Sequence, residues 1–297
     1  MKQFNITGPC DPDKHFMVDM TGKVEKIKTL VDKSAYLIID KPPKSGKTTF
    51  LAAVEKIMRA SYKVISIDAN SINPVYFESE NKFCAEFIRL ALDSMQFKTP
   101  ELKPWTELDD NLISMWNDSN EINDLNSLDE HIKSLCIFEK PVLIIDNVNT
   151  DLKNKYKVFS DFIEMLKRQQ ESSLKNMCDI FQSIILAGVF DTKDKKAFDL
   201  LYNSPLDIPI DFEFEMSFRS QKIKKMLDGY ETEYNTGMDT FFTALKICRY
   251  SGGHPLLVSK ICKCIDEKFD RDWSLEGIQK AVELINIYAA HGINSFV

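Results

Sequence analysis

The residues best suited to bind a ligand form a short loop, which reads Lys41-Pro42-Pro43-Lys44-Ser45-Gly46-Lys47-Thr48-Thr49. It follows the apolar run 36–39 and precedes an amphipathic pattern over 48–60. Phosphate groups bind where backbone N–H groups of a glycine-containing loop meet the N-terminus of a helix. The sequence therefore predicts a P-loop for ATP, in which Lys47 reaches the β/γ-phosphates and Thr48 ligates Mg²⁺.

The loop departs from the usual P-loop pattern at its start. Lys41 stands where that pattern has glycine, and Pro42 and Pro43 lack N–H donors. An ordinary turn before an amphipathic helix is the alternative interpretation. The strand before the loop, the helix after it and an acidic strand end later in the chain favour the P-loop.

The second candidate is the apolar run 142–145, which ends in Asp146. An aspartate at this place in P-loop proteins holds Mg²⁺. The next residue in hydrolysing ATPases is usually a glutamate that activates water, but here it is Asn147. An amide cannot accept a proton as a general base. We therefore expect slow or absent hydrolysis, and higher turnover for Asn147→Glu.

Two weaker candidates lie towards the C-terminus. Gly253-His254-Pro255 opens a helix, and a simple helix–helix connection explains its glycine equally well. Arg219 is a candidate arginine finger, although a solvated charge at a helix start is the simpler interpretation.

Apolar runs that alternate with amphipathic patterns predict an α/β fold with a parallel sheet and helices on both faces. A complete βα unit separates the P-loop strand from the Asp146 strand, which is the order found in the ASCE class of P-loop proteins. In that class a further strand lies between these two in space, and 184–188 is the candidate here. Leu206–Phe212 is a possible fifth strand.

We predict a nucleotide-binding core over 1–215, with an N-terminal segment at 1–22, and a small helical lid over 216–297. The stretch 96–135 carries nine acidic residues and three lysines, and we expect it to be a surface insertion of short helices.

The composition argues against several classes of function. The 297-residue chain has a net charge of −7. Proteins that bind the phosphate backbone of nucleic acids do so with basic residues, so we expect no nucleic-acid partner. The sequence has seven cysteines, an odd number, and it does not begin with the apolar pattern of a signal peptide. Both features predict a cytoplasmic protein with reduced thiols. No apolar run is long enough to span a membrane. The spacing of Cys262 and Cys264 argues against a zinc site.

Several segments together resemble a family of bacterial AAA-like ATPases related to the STAND and Orc/Cdc6-type ATPases. They are Gly8-Pro9-Cys10 with His15-Phe16-Met17, the loop 41–49 (whose first glycine the family also lacks), Ile145-Asp146-Asn147, Leu186-Ala187-Gly188-Val189-Phe190-Asp191 and Gly253-His254-Pro255. Asn147 replaces the family's glutamate and Phe190 replaces its arginine. Asp191 and Thr192 are the remaining polar residues that could sense the γ-phosphate.

The resemblance implies that His15, Phe16, Met17 and Val18 lie near adenine, and that Gly253, His254 and Pro255 close over the nucleotide. It also implies a nucleotide-dependent switch with a protein partner or self-association. The alternatives are an ATP-binding scaffold that does not hydrolyse and an origin-recognition-type DNA-associated ATPase.

Overall fold

The computed structural model describes residues 1–42, 44–96, 122–136, 140–149, 152, 155–174, 180–189 and 217–291. The chain groups into two compact units. The sheet unit comprises Lys23–Pro42 and Ala53–Phe212. The helical unit comprises Met1–Gly22, Pro43–Ala52 and Glu213–Val297.

In the part of the chain that the structure describes, four parallel strands form the sheet. They are β1 (Leu37–Asp40), β2 (Val64–Asp68), β3 (Val142–Asn149) and β4 (Ser183–Val189), in the spatial order β1-β4-β3-β2. Strand β4 therefore lies between the strand that precedes the P-loop and the strand that carries Asp146. The prediction of an α/β fold with the ASCE strand order is confirmed. The possible fifth strand, Leu206–Phe212, lies outside the described residues.

Five of the described helices precede β4, and each has a periodic apolar face. They are α1 (Thr21–Asp32), α2 (Lys47–Arg59), α3 (Glu80–Gln96), α4 (Leu125–Cys136) and α5 (Lys157–Leu174). Helix α2 crosses the division between the units, since its first residues, 47–52, group with the helical unit.

Burial on both faces of β3 and β4 shows that layers cover both sides of the sheet. One face packs into a core rich in phenylalanine, in which Phe83 and Phe162 lie 5.1 Å apart between ring centroids. Helix α4 belongs to this core, because Leu128 and Ile132 are fully buried in it. The surface insertion over 96–135 stays a prediction: α4 has exposed residues on the face opposite this core, and residues 97–121 lie outside the described part.

The helical unit contains α6 (Ser220–Tyr234), α7 (Thr240–Ser251), α8 (Pro255–Lys268) and α9 (Leu275–Ala290). Their buried faces form one core with side chains of the N-terminal segment. Phe4 stacks on Tyr230 at 5.2 Å between ring centroids. The segment 1–22 thus groups with the helical unit, whereas the sequence placed it with the nucleotide-binding core. No helix among the described residues is long and apolar enough to cross a membrane.

Candidate functional site

The backbone of the predicted P-loop continues from β1 into α2. The Lys41 N–H donates to the Gly188 carbonyl at 3.1 Å, which extends the pairing of β1 with β4 by one residue. Lys44 and Gly46 then have φ of 64° and 90°. Positive φ is uncommon for a residue other than glycine, so the chain makes a tight turn here. Helix α2 begins at Lys47, immediately after this turn.

The side chains of this loop differ in what they contact. Ser45 is 5% exposed, and among the described residues its hydroxyl has no hydrogen-bond partner. A buried hydroxyl without a partner is costly, and an acceptor oxygen of a phosphate would satisfy it. Lys47 is 8% exposed and Thr48 is exposed. Thr49 accepts a hydrogen bond from the Cys10 N–H at 3.1 Å, which ties the N-terminal segment to the start of α2.

The residues of this loop fit a phosphate chain. Helix α2 is long enough, at 13 residues, for its unpaired N-terminal N–H groups to attract an anion. Thr48 would supply a hydroxyl to Mg²⁺. Lys47 and Thr48 group with the helical unit, and Asp146 groups with the sheet unit. Pro43 lies outside the described residues.

Asp146 lies within β3, three residues before its last residue, Asn149, and opposite Asp68, the last residue of β2, in the register of the two strands. It is 8% exposed, and its Oδ1 accepts a hydrogen bond from the Asn147 N–H at 2.7 Å. A carboxylate at the edge where parallel strands end is well placed to ligate Mg²⁺. The other predicted residues of the β4 edge, Phe190, Asp191 and Thr192, lie outside the described part of the chain.

A β-bulge shapes this edge. The pairing of β3 with β4 shifts between Ile145 and Val148, and Asn147 has φ of 60°. Asparagine tolerates this left-handed conformation better than most residues. At the bulge, Gly188 comes so close to β3 that a Cβ atom would lie 2.6 Å from the Val148 carbonyl carbon. Gly188 is therefore required by the close approach of the two strands.

Asn147 connects two carboxylates. Its side-chain amide donates to Asp68 Oδ1 at 2.8 Å, while its backbone N–H donates to Asp146. Asp68 Oδ1 also accepts from the Asn70 N–H at 2.9 Å. Sequence reasoning missed Asp68, although an aspartate that ends a predicted strand is a signal that could have found it. The structure thus brings Asp146, Asn147 and Asp68 together.

Two of the four residues predicted to lie near adenine are buried inside the helical unit. Phe16 and Val18 are 6% and 2% exposed and belong to its core. His15 is half-buried, and its Nδ1 accepts a hydrogen bond from the Asp11 N–H at 2.8 Å. Met17 is half-buried. A contact of these four residues with adenine stays a prediction.

The Gly253-His254-Pro255 turn is explained locally. Gly253 has φ of 73°, and a Cβ atom there would lie 2.9 Å from the Phe218 nitrogen. The Phe218 N–H donates to the Gly253 carbonyl at 2.7 Å. His254 precedes α8, which begins at Pro255. Burial lowers the pKa of His254, whose Nδ1 has no hydrogen-bond partner. A role for this turn in nucleotide binding stays a prediction.

Two further sequence candidates can be placed within the helical unit. Arg219 is exposed at the start of α6, where its side chain makes no capping hydrogen bond. Its role as an arginine finger stays a prediction. Cys262 and Cys264 are buried in α8, and burial raises the pKa of the Cys264 thiol to about 11. The described residues contain no cluster of His, Cys, Asp and Glu side chains preformed for a metal ion.

Comparisons with known proteins bear on the family. Two solved structures of Aeropyrum pernix proteins are similar to the chain at 11% identity and a TM-score of 0.48: Orc1 in complex with DNA and Orc2 in ADPNP and ADP complexes. The matches cover 91% and 94% of this chain. The chain spans 66% of the Orc1 structure and 69% of the Orc2 structure.

No curated protein matches the sequence significantly. The family model described as "AAA-like domain" matches residues 6–296, which is nearly the whole chain. It includes the P-loop, the Asp146 strand and the helical unit. The chain belongs to this AAA-like family of P-loop proteins.

Proposed function

We propose that the chain binds ATP with Mg²⁺ and acts as a nucleotide-dependent switch with slow or absent hydrolysis. The observation that carries the proposal is the loop before α2, where Ser45 has a buried hydroxyl without a partner between two residues of positive φ. Membership of the AAA-like family supports the same conclusion.

Each residue of the loop has a role in this proposal. The N–H groups at the start of α2 bind the phosphate oxygens, and Lys47 adds a charge to the β/γ-phosphates. Thr48 and Asp146 hold Mg²⁺, which supplies positive charge to the phosphate chain. Lys41 and Lys44 are further cations of the same loop, and Thr49 holds the N-terminal segment through Cys10.

Slow hydrolysis follows from Asn147. Its amide cannot accept the proton of an attacking water, and its side chain already donates to Asp68. A switch that hydrolyses slowly remains in its ATP-bound state for longer, which suits regulated contact with a protein partner or a second copy. A scaffold that binds ATP without hydrolysing it is the second candidate, favoured by the same residue. Steady-state phosphate release under saturating Mg-ATP separates the two.

The test of nucleotide binding is Lys47→Ala, measured by isothermal titration calorimetry with Mg-ATP. Loss of a charge-assisted hydrogen bond is expected to weaken binding ~10–100-fold. Lys26→Ala removes the same charge from an exposed position of α1 and should bind Mg-ATP like the parent. Circular dichroism should show that both variants fold. Equal affinity of Lys47→Ala and the parent, or a parent that binds no ATP, would overturn the proposal.

A further inference from the structure

A hydrolysing P-loop protein has a carboxylate directly after its magnesium-binding aspartate. This chain has Asn147 at that position, but the carboxylate of Asp68 contacts the Asn147 side chain. Asp68 ends β2, the strand paired with β3, and its Cα is the register partner of Asp146. Both aspartates therefore end at the same edge of the sheet. We propose that the slow hydrolysis uses Asp68, in place of a carboxylate at position 147, as the water-activating residue, and that Asn147 is the residue that positions it.

The hydrogen bonds of Asn147 support this division of roles. In the described residues, both hydrogen bonds to the Asp68 carboxylate reach Oδ1, one from the Asn147 amide at 2.8 Å and one from the Asn70 N–H at 2.9 Å. Oδ2 therefore keeps its lone pairs for a water molecule. Asp68 is exposed, so water reaches it, whereas Asp146 is 8% exposed. The more buried carboxylate suits the metal and the more exposed one suits the water.

Charge explains why an amide occupies position 147. Asp146 and Asp68 are neighbouring carboxylates that repel each other, and Asn147 donates one hydrogen bond to each. A glutamate at 147 would lose the amide donor and add a third negative charge. It would also occupy φ of 60°, which asparagine tolerates better. Asn147→Glu is therefore expected to give no gain in turnover, in contrast to the expectation from sequence alone.

The proposal rests on the proposed ATP binding and deepens it. In the hydrolytic step the water oxygen forms a bond to the γ-phosphorus while the bond from the γ-phosphorus to the β–γ bridging oxygen breaks. The electron pair of the broken bond leaves with ADP. The proton of the water passes to Asp68 Oδ2, and inorganic phosphate is released.

The structural alternative is that Asp68 only caps a turn. It precedes the short 3₁₀ turn Ala69–Ser71 and accepts from the Asn70 N–H. Asp68→Asn separates the two roles, because asparagine caps a helical turn as well as aspartate but cannot take a proton. Asp68→Ser also caps without a carboxylate and provides the same comparison if Asp68→Asn does not fold.

The experiment is single-turnover hydrolysis of radiolabelled ATP with the full chain in excess, together with calorimetry for Mg-ATP affinity. Asp68→Asn is expected to lower the hydrolysis rate ~10²–10⁴-fold with affinity unchanged, the range of general-base assistance. Asn147→Asp, which keeps the shape but loses the amide donor, should also lower the rate without weakening binding. Asp93→Asn, an exposed change on α3, is the matched control and should hydrolyse like the parent.

The outcomes separate this inference from the proposed function. A parent that binds Mg-ATP but hydrolyses no faster than Lys47→Ala overturns the role of Asp68 and leaves nucleotide binding intact. Undiminished hydrolysis in Asp68→Asn also overturns it. A parent that binds no Mg-ATP removes the proposed function and this inference with it.

Discussion

Replacement of Gly188 by alanine should destabilise the sheet unit severely, because β3 and β4 approach each other too closely there for a side chain. The added methyl carbon would overlap the Val148 carbonyl group, at 2.6 Å from its carbon and 3.2 Å from the Val148 Cα. Carbon atoms in contact normally lie about 3.5–4.0 Å apart. The strands must therefore separate by about 1 Å at the bulge.

The energetic cost follows from two contributions. Overpacking of this kind costs about 1–3 kcal/mol. Separation of the strands also weakens a backbone hydrogen bond of the β3–β4 pairing, worth about 0.5–1.5 kcal/mol. We expect a loss of about 2–4 kcal/mol in the free energy of unfolding. At about 2–4 °C per kcal/mol, the melting temperature should fall by roughly 4–16 °C.

Gly229→Ala is the matched control. Gly229 lies inside α6, and a Cβ atom there would meet nothing within 4 Å. Alanine is favoured over glycine in a helix interior by about 0.5–1 kcal/mol, so this variant should be as stable as the parent or more stable. Circular dichroism during urea and thermal denaturation measures both variants. A Gly188→Ala protein as stable as the parent would refute the close approach and with it the bulge that positions Asn147.

Two further changes test other parts of the structure. Asp146→Asn should weaken binding of Mg-ATP more than binding of metal-free ATP, because it removes charge from a magnesium ligand; equal losses in calorimetry with and without Mg²⁺ would assign Asp146 a structural role. Leu128→Ala should lower the free energy of unfolding in urea by about 2–5 kcal/mol, because Leu128 is fully buried on α4. Leu245 is 43% exposed on α7, so Leu245→Ala should lower it little. A small loss for Leu128→Ala would contradict the placement of α4 in the core.

Local pattern was sufficient to predict most elements of the described chain. The apolar run 64–68 predicts the strand observed as β2. The helical patterns over 220–228, 238–249, 255–268 and 274–290 begin within two residues of the observed helices α6 to α9. Apolar runs and helical periodicity report burial directly, because side chains alternate across a strand and recur every three to four residues along a helix. The order of the motifs along the chain was also sufficient to predict that β4 lies between β1 and β3.

The acidic stretch shows what a charge count leaves out. Its charge predicted a surface insertion, and α4 buries Leu128 and Ile132 in the core while Glu130 is exposed on the opposite side of the helix. Net charge over a window averages the two faces of an amphipathic helix and so hides the buried one. The N-terminal segment was misplaced for a related reason, since nothing local indicates which core receives Phe4 and Phe16.

The sequence by itself determined which segments form helices and strands. It also determined that Lys47 and Thr48 match the P-loop pattern and that Asp146 follows a buried apolar run. These features depend on residue type and on the spacing of near neighbours. Only the tertiary structure decided that Asn147 joins Asp146 to Asp68. Asp68 lies 79 positions from Asn147 in the sequence. That contact depends on the lateral pairing of β2 with β3 and on the bulge opposite Gly188. Strand register and bulges arise from long-range pairing, which leaves no periodic signal in the chain.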